Sequence, residues 1–381
     1  MWLTFRINFL LAFATSCSLT LANRFPTFNN NTIFQSPPNY TVPGTLYART
    51  LELPDGSLLA TWENYSPEPP LVYFPIYKST DGAVTWHEIS HVTDQVNVWG
   101  LRYQPFLYLL PEPIGELPAN SILLAGNSIP TNLSHTQIDL YSSTDEGCTW
   151  KFISHIAAGG AAIPDNGIPA VWEPFLLLHN SELICFYSDQ RDPEYGQKLV
   201  HQTTSDLVTW SEPVNDVTYL TYTARPGMAV VAQLPTGQWI LTYENGGAPI
   251  PGVPAANYSF PAYYRISASP LTFDSAEGLP ISTPDGTYPQ SSPYCVWSPL
   301  GGLNGSIIVS TGTHSEVFVN QALGDVGAWQ KLETEERVSY SRSLRLDYEG
   351  RRLLIAGGGL LPPSENNSVT IGSIDLGEAL G

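Results

Sequence analysis

Pairs of short apolar runs, each pair joined by a turn rich in Gly, Pro, Asn or Asp, recur six times along the chain, at 48–64, 104–127, 172–189, 224–245, 296–314 and 341–359. Each reads as a β-hairpin. A second signal falls between them. Residues 143–150, Ser-Thr-Asp-Glu-Gly-Cys-Thr-Trp, fit S-x-D-x-G-x-T-W at every specified position, and 79–86 fit except that Ala83 replaces the glycine. Weaker copies lie at 204–210, 267–273 and 323–329, and the closing aromatics Trp86, Trp150, Trp210, Phe273 and Trp329 are 64, 60, 63 and 56 residues apart. This pattern, the Asp-box, is a hairpin turn in which Asp and Ser/Thr side chains bond local backbone while the aromatic packs between sheets. Every hairpin except the last precedes one such turn. Two hairpins make a four-stranded blade, so the repeats predict an all-β, six-bladed β-propeller formed as a single domain by 23–381. The sixth blade lacks a fourth strand of its own. Residues 368–376 are expected to pair with a strand near 32–35 and close the ring, which protects the sheet edges. Two stacked β-sandwiches, the competing architecture, lack so uniform a period.

Composition agrees and narrows the function. The 381 residues include 31 Gly and 33 Pro, are 12% aromatic, and carry 16 Lys+Arg against 35 Asp+Glu for a net charge of −19. Phosphate neutralisation needs clustered cations, so no nucleic-acid partner is expected. Residues 1–22 read as a cleaved leader, a short basic stretch followed by an apolar stretch too brief to span a bilayer. No membrane partner is expected, and the localisation is secreted and extracellular. Sequons at Asn30, Asn39, Asn64, Asn132, Asn257, Asn304 and Asn366 fit that route. Beyond the leader only Cys148, Cys185 and Cys295 remain, enough for at most one disulfide.

Propeller geometry turns spacing into location. The start of strand one and the end of strand two of each blade share one face of the disc. Strand-one starts carry Arg49, Gln104, Glu173, Arg225, Trp297 and Arg342, with Tyr340 just before the last, and strand-two ends carry Glu63, Asp189, Glu244 and His314. Several carboxylates and three arginines therefore surround one opening, in a chain that is only 13% charged. Burying so many ions without partners costs several kcal/mol each. A recessed carboxyl pair flanked by aromatics suits glycoside cleavage, whose oxocarbenium-like transition state needs one ionised and one protonated carboxyl. A ring of structural salt bridges without chemistry is the alternative. Cationic neighbours should keep Glu173 ionised, and a drier Glu244 should hold its proton.

Asp-boxes, six blades and axial arginines resemble the sialidase superfamily. The strings Val-Trp-Glu-Pro-Phe (171–175), Thr-Tyr-Glu-Asn (242–245) and Ser-Tyr-Ser-Arg-Ser (339–343) look more like glycoside hydrolase family 93, secreted and mainly fungal exo-α-1,5-L-arabinanases that release arabinobiose from the non-reducing end with retention. That resemblance implies Glu173 as nucleophile, Glu244 as general acid/base and Tyr340 as an assisting tyrosine, with linear α-1,5-L-arabinan and arabino-oligosaccharides as partners. Arg49, Trp172, Arg225, His314 and Arg342 are the candidate substrate-binding residues. A retaining mechanism places the carboxyl groups about 5–5.5 Å apart. No cofactor and no metal is implied, and a monomer is expected.

Other candidates are weaker. His87-Glu88-Ile89-Ser90-His91 matches a zinc motif, but it follows an Asp-box where an outer strand should run, and a strand holds those histidines about 13 Å apart. Glu63 and Asp189 stand as reserve acid/base candidates, and Trp62, Trp99 and Trp172 as stacking platforms. The inserts at 112–120 and 247–260 are expected to block one end of the cleft. A sialidase, which would use the three arginines for a carboxylate, and a non-catalytic carbohydrate-binding propeller remain the alternative functions.

Overall fold

The computed structural model describes residues 25–250 and 259–381. The leader at 1–22 and the Asn257 sequon lie outside the described residues. Strand β1 (Phe28–Gln35) is followed by blade I, β2 (Thr45–Glu52), β3 (Leu58–Asn64), β4 (Phe74–Ser79) and β5 (His87–Val92). Blade II is β6 (Leu101–Leu109), β7 (Ile122–Ser128), β8 (Thr136–Ser143) and β9 (Lys151–Gly159). Blade III is β10 (Val171–His179), β11 (Glu182–Asp189), β12 (Lys198–Thr204) and β13 (Val214–Val217), and blade IV is β14 (Arg225–Gln233), β15 (Trp239–Gly246), β16 (Ala262–Ser267) and β17 (Leu279–Pro280). Blade V is β18 (Tyr294–Ser298), β19 (Ser306–Ser310), β20 (Val317–Asn320) and β21 (Trp329–Leu332), and blade VI is β22 (Ser343–Leu346), β23 (Arg352–Gly357), β24 (Ser368–Asp375) and the returning β1. The six-bladed propeller is therefore as the repeats predict.

Position within a blade explains the sequence of each strand. Second strands are covered on both faces, so β3 and β7 are buried at every residue and read as nearly unbroken apolar runs. The outer β5 is largely polar and buried only at Val92. Leu51, Leu59, Phe74, Ile76, Leu107, Leu124 and Tyr141 seal blade I against blade II. Closure uses the same physics. Strand β1 pairs antiparallel with β24, Thr32 opposite Thr370 and Gln35 opposite Ser368, while Ala60, Trp62, Leu354, Val369 and Ile371 form a continuous apolar patch across the seam.

The Asp-boxes sit between third and fourth strands. In blade II the Asp145 carboxylate accepts from Ser143 Oγ at 2.8 Å, Thr149 N at 2.8 Å and Thr149 Oγ1 at 2.6 Å. The Trp150 indole donates to Gly147 O at 3.0 Å. In blade I the exceptional Ala83 occupies the glycine position with φ +69°, a left-handed conformation that costs an L-residue about 1–2 kcal/mol. Asp81 binds Thr85 as Asp145 binds Thr149 and holds the turn regardless.

Several expectations resolve at this level. His87–Val92 is the exposed outer strand β5, which separates the two histidines. All three described cysteines are free, Cys148 exposed and Cys185 and Cys295 buried. Asn39, Asn132, Asn304 and Asn366 are exposed, whereas Asn64 is buried within β3 and cannot carry a glycan in the folded chain. The 112–120 insert joins the end of β6 to the start of β7, which puts it on the face opposite the expected site. It cannot block that cleft.

Replacing Asp145 by Ala removes three local bonds and should destabilise the fold by about 1–2 kcal/mol. The expected outcome is a melting temperature lower by a few degrees in differential scanning fluorimetry, with specific activity at 25 °C unchanged.

Candidate active site

Where the inner strands begin, the ladder slips by one residue. The irregularity lies between Leu46 and Arg49 in blade I, Tyr103 and Phe106 in blade II, Trp172 and Phe175 in blade III, and Gly227 and Val230 in blade IV. The residue at each bulge is left-handed: Tyr47 (φ +54°), Gln104 (+59°), Glu173 (+63°) and Met228 (+60°). In blades V and VI, Ser292 (+44°) and Ser341 (+55°) take the same conformation just before the strand. Such conformations persist only where the surroundings over-determine them.

Here the neighbouring blade does so. Gln104 N donates to Glu63 Oε1 at 3.0 Å, Glu173 N to Gln104 Oε1 at 3.0 Å, and Met228 N to Glu173 Oε2 at 2.8 Å. Ser292 N donates to Glu244 Oε2 at 2.7 Å, and Ser341 N to Ser292 Oγ at 2.8 Å. Arg49 completes the circuit, donating to Ser341 O at 3.0 Å and Ser341 Oγ at 2.8 Å while stacking 3.8 Å over the Tyr47 ring.

Glu173 and Glu244 belong to this circuit and meet at the junction of blades III and IV. Gly227 stands opposite Glu244 in the β14–β15 ladder, and the next residue, Met228, donates to Glu173. The Gly227–Met228 dipeptide thus pairs with the Glu244 backbone and binds the Glu173 carboxylate. A β-carbon added at Gly227 would lie 2.9 Å from Gln197 Nε2 and 3.3 Å from Glu173 Oε2, so glycine leaves the room the pair occupies.

The two carboxyls are not equivalent. Burial pushes Glu173 above the ordinary glutamate value, opposed by Ser188 Oγ at 2.7 Å, Met228 N, Arg225 and Arg49. The expected cationic stabilisation is present, but desolvation outweighs it. Glu244 is pushed up to about 8, first by burial and then by the charge of Glu173, with Ser292 N as its hydrogen-bond donor. Burial and the charge of its neighbour together let Glu244 hold its proton at neutral pH. One ionised and one protonated carboxyl in a shared recess is the arrangement that glycoside cleavage requires.

Tyr340 lies beside the pair. Burial, Glu173 and Glu244 all raise its phenol well above the ordinary tyrosine value, so it stays a protonated donor. Arg225 draws both carboxyls down and donates to Gln197 Oε1 at 2.7 Å and to Asn166 Oδ1. His314 is half-buried at the blade V rim, bonded through Nδ1 to Thr313 Oγ1 at 2.9 Å, and burial lowers its pKa, which favours the neutral ring.

Other assignments change. Arg342 is 1% exposed and gives its two NH₂ groups to Ser315 O at 2.7 Å and Glu316 O at 2.9 Å, so it braces the His314 loop and does not present itself to a ligand. Trp172 is 6% exposed, packed among Ile129, Ala162 and Ala170 with its indole N–H on Gln190 Oε1; it is a wall, not an open platform. Trp62 is core, and Trp99 stacks on His135. Trp297 stands near the end of β18, not its start, and so lies on the opposite face. Asp189 also moves. The ladder places Ser188, not Asp189, at the position of Glu63 and Glu244, and Asp189 forms a bidentate pair with Arg191 at 2.9 and 2.8 Å. Glu63 is a third carboxyl near the pair, pushed up to about 7 by burial and held by Tyr65 OH at 2.8 Å.

Comparison with solved structures follows this geometry. The chain is similar to the α-L-arabinofuranosidase of Fusarium graminearum, an enzyme of glycoside hydrolase family 93 determined with an iminosugar inhibitor and with arabinobiose (52% identity, TM-score 0.91, covering 93% of this chain and 99% of that one). It is also similar to the α-L-arabinanase of Penicillium chrysogenum complexed with arabinobiose (54% identity, TM-score 0.89, 93% and 99% covered). A sialidase of Streptococcus pneumoniae shares the fold alone, at 10% identity and TM-score 0.59 over 92% of this chain and 71% of that one. No family model matches the chain, and no curated protein does.

Two outcomes test the site. Gly227→Ala should lower kcat/KM at least tenfold while the melting temperature moves by no more than a few degrees, because the added carbon displaces Gln197 and Glu173. For Glu244, a carboxyl near 4.5 when unfolded and about 8 when folded favours the fold below both values and loses that contribution as the pH rises through 8. Glu244→Gln should therefore raise the melting temperature at pH 9 and leave it nearly unchanged at pH 4.

Proposed function

The chain belongs to glycoside hydrolase family 93, and from that premise we propose that it cleaves linear α-1,5-L-arabinan from the non-reducing end, with retention, to release arabinobiose. It is a glycoside hydrolase; the substrate, the end-acting mode and the stereochemistry are the proposal. The observation that carries it is the buried carboxyl pair at the junction of blades III and IV, Glu173 accepting from Ser188 Oγ and Met228 N and Glu244 from Ser292 N, with Glu244 raised further by the charge of Glu173.

In the first step Glu173 attacks the anomeric carbon and the glycosidic C–O bond breaks, while Glu244 gives its proton to the departing oxygen. Loss of that proton leaves Glu244 a carboxylate just as the charge on Glu173 is consumed in the new ester bond, which removes the repulsion that had raised it. Glu244 then takes a proton from water, the water oxygen attacks the anomeric carbon, and Glu173 leaves as carboxylate. Tyr340 steers Glu173 and donates toward the ring oxygen. Arg49 and Arg225 fix the pair electrostatically, and the neutral His314 ring offers a hydrogen bond to a sugar hydroxyl. Of the insert at 247–260, residues 251–258 lie outside the described residues. Secretion is proposed from the 1–22 leader and the four exposed sequons.

The decisive experiment is product analysis on linear debranched arabinan, with sialyllactose alongside. Arabinobiose alone from the earliest time points is expected; a ladder of oligosaccharides would overturn end-on action, and free sialic acid without arabinan cleavage would overturn the substrate. Glu173→Ala should abolish turnover with the fold intact, and azide should restore part of the activity of Glu244→Ala. The kcat/KM profile should fall above about pH 8, where Glu244 loses its proton, and its acid limb should lie above the ordinary carboxylate value.

A further inference from the structure

The inner strands end, on the face opposite the carboxyl pair, around a cavity of about 560 Å³. Its floor includes Phe106, Phe175 and Tyr294, which are 5–7% exposed and belong to the main core. The Tyr294 ring lies 5.3 Å from the Arg49 guanidinium, so this apolar layer stands between the cavity and the catalytic chamber. The cavity is a separate recess, not a back entrance.

Its walls combine aromatic rings with planar charged groups. Trp297 is held in place by the turn beneath it, its indole N–H donating to Asn304 O at 3.0 Å, and a β-carbon on Gly305 would come within 2.7 Å of the ring. Tyr348, 71% exposed, stands at the rim. Glu52 and Arg345 both line the recess, and no ion pair joins them among the described residues. Arg345 is anchored through Nε to Thr50 O at 2.8 Å.

Charge decides the class of ligand. Glu52 and Asp347 beside a single arginine, on a chain of net charge −19, oppose an anion. A purely apolar ligand would strip water from Glu52 and Arg345 and return no hydrogen bonds. A neutral polyhydroxyl chain satisfies both demands, its ring faces on Trp297 and Tyr348 and its hydroxyls on the carboxylate and guanidinium. We propose that this recess is a second carbohydrate site that holds a segment of arabinan outside the catalytic opening, an inference that rests on the arabinan reading above. Because it faces away from the carboxyl pair, a chain bound there leaves the reaction site open and raises the local concentration of chain ends.

The test is affinity electrophoresis through linear arabinan in the Glu173→Gln background, which leaves the polymer intact, with Trp297→Ala and Tyr348→Ala added singly. Each should weaken retardation at least threefold. In the otherwise unaltered enzyme, each should lower kcat/KM on the polymer severalfold and leave that on arabinotriose within twofold. Unchanged retardation by both variants, with arabinotriose still cleaved, overturns the second site alone. No cleavage of arabinotriose or arabinan by the unaltered enzyme overturns the functional reading instead. If Trp297→Ala lowers the melting temperature, Tyr348→Ala decides, since so exposed a ring is not needed for the fold.

Discussion

The site depends on one repeated interaction, a backbone N–H at the mouth of an inner strand donating to a side chain of the preceding blade. That bond forms where the residue turns left-handed, at a bulge in blades II–IV or just before the strand in blades V and VI, which aims the N–H sideways toward the neighbour. Gln104, Glu173, Met228, Ser292 and Ser341 all use it. The bonds lock the bulges, and the bulges orient the carboxyls. Glu173 is both a bulge residue and the acceptor for the next one, so its position is fixed from two blades at once.

Electrostatic division of labour follows from small differences in that common pattern. Both glutamates are desolvated by the same closed ring, and both are raised. Glu173 has two donors on one oxygen and two arginines in range, whereas Glu244 has the Ser292 amide and must share its surroundings with the charge of Glu173. A repeated fold thereby yields two unequal acids without any change of architecture between blades III and IV.

The blade count, the Asp-boxes and the closure of 368–376 on 32–35 were legible in the sequence because each is a local or periodic pattern. Membership of Glu173, Glu244 and Tyr340 in one recess was legible for the same reason. Three corrections have three causes. Bulges shift the ladder by one residue, and a shift of one reverses which side chain faces the axis, so Asp189 was read where Ser188 stands. Trp297 was placed at the wrong end of its strand because blade V begins with an irregular Ser-Ser-Pro segment that hides where pairing starts. Arg342 was read as facing the opening because sequence gives its level in the disc but not the carbonyls of Ser315 and Glu316 that engage it. Ser188, Met228 and Ser292 left no chemical signature, since two of them act through backbone N–H groups that every residue possesses. The recurrence of polar residues at positions 63, 127, 188 and 244 was the available clue.

The seam between β1 and β24 carries a consequence for biosynthesis. The partners Thr32 and Thr370 are separated by almost the entire described chain, so blade VI cannot be finished until β24 has been made. Until then β1 and the outer faces of blades I and V wait without their neighbours, and the loop to be closed is among the longest the chain can form, though its entropic cost grows only with the logarithm of length. During synthesis the nascent molecule is thus an open arc with two unpaired ends, vulnerable to joining another arc.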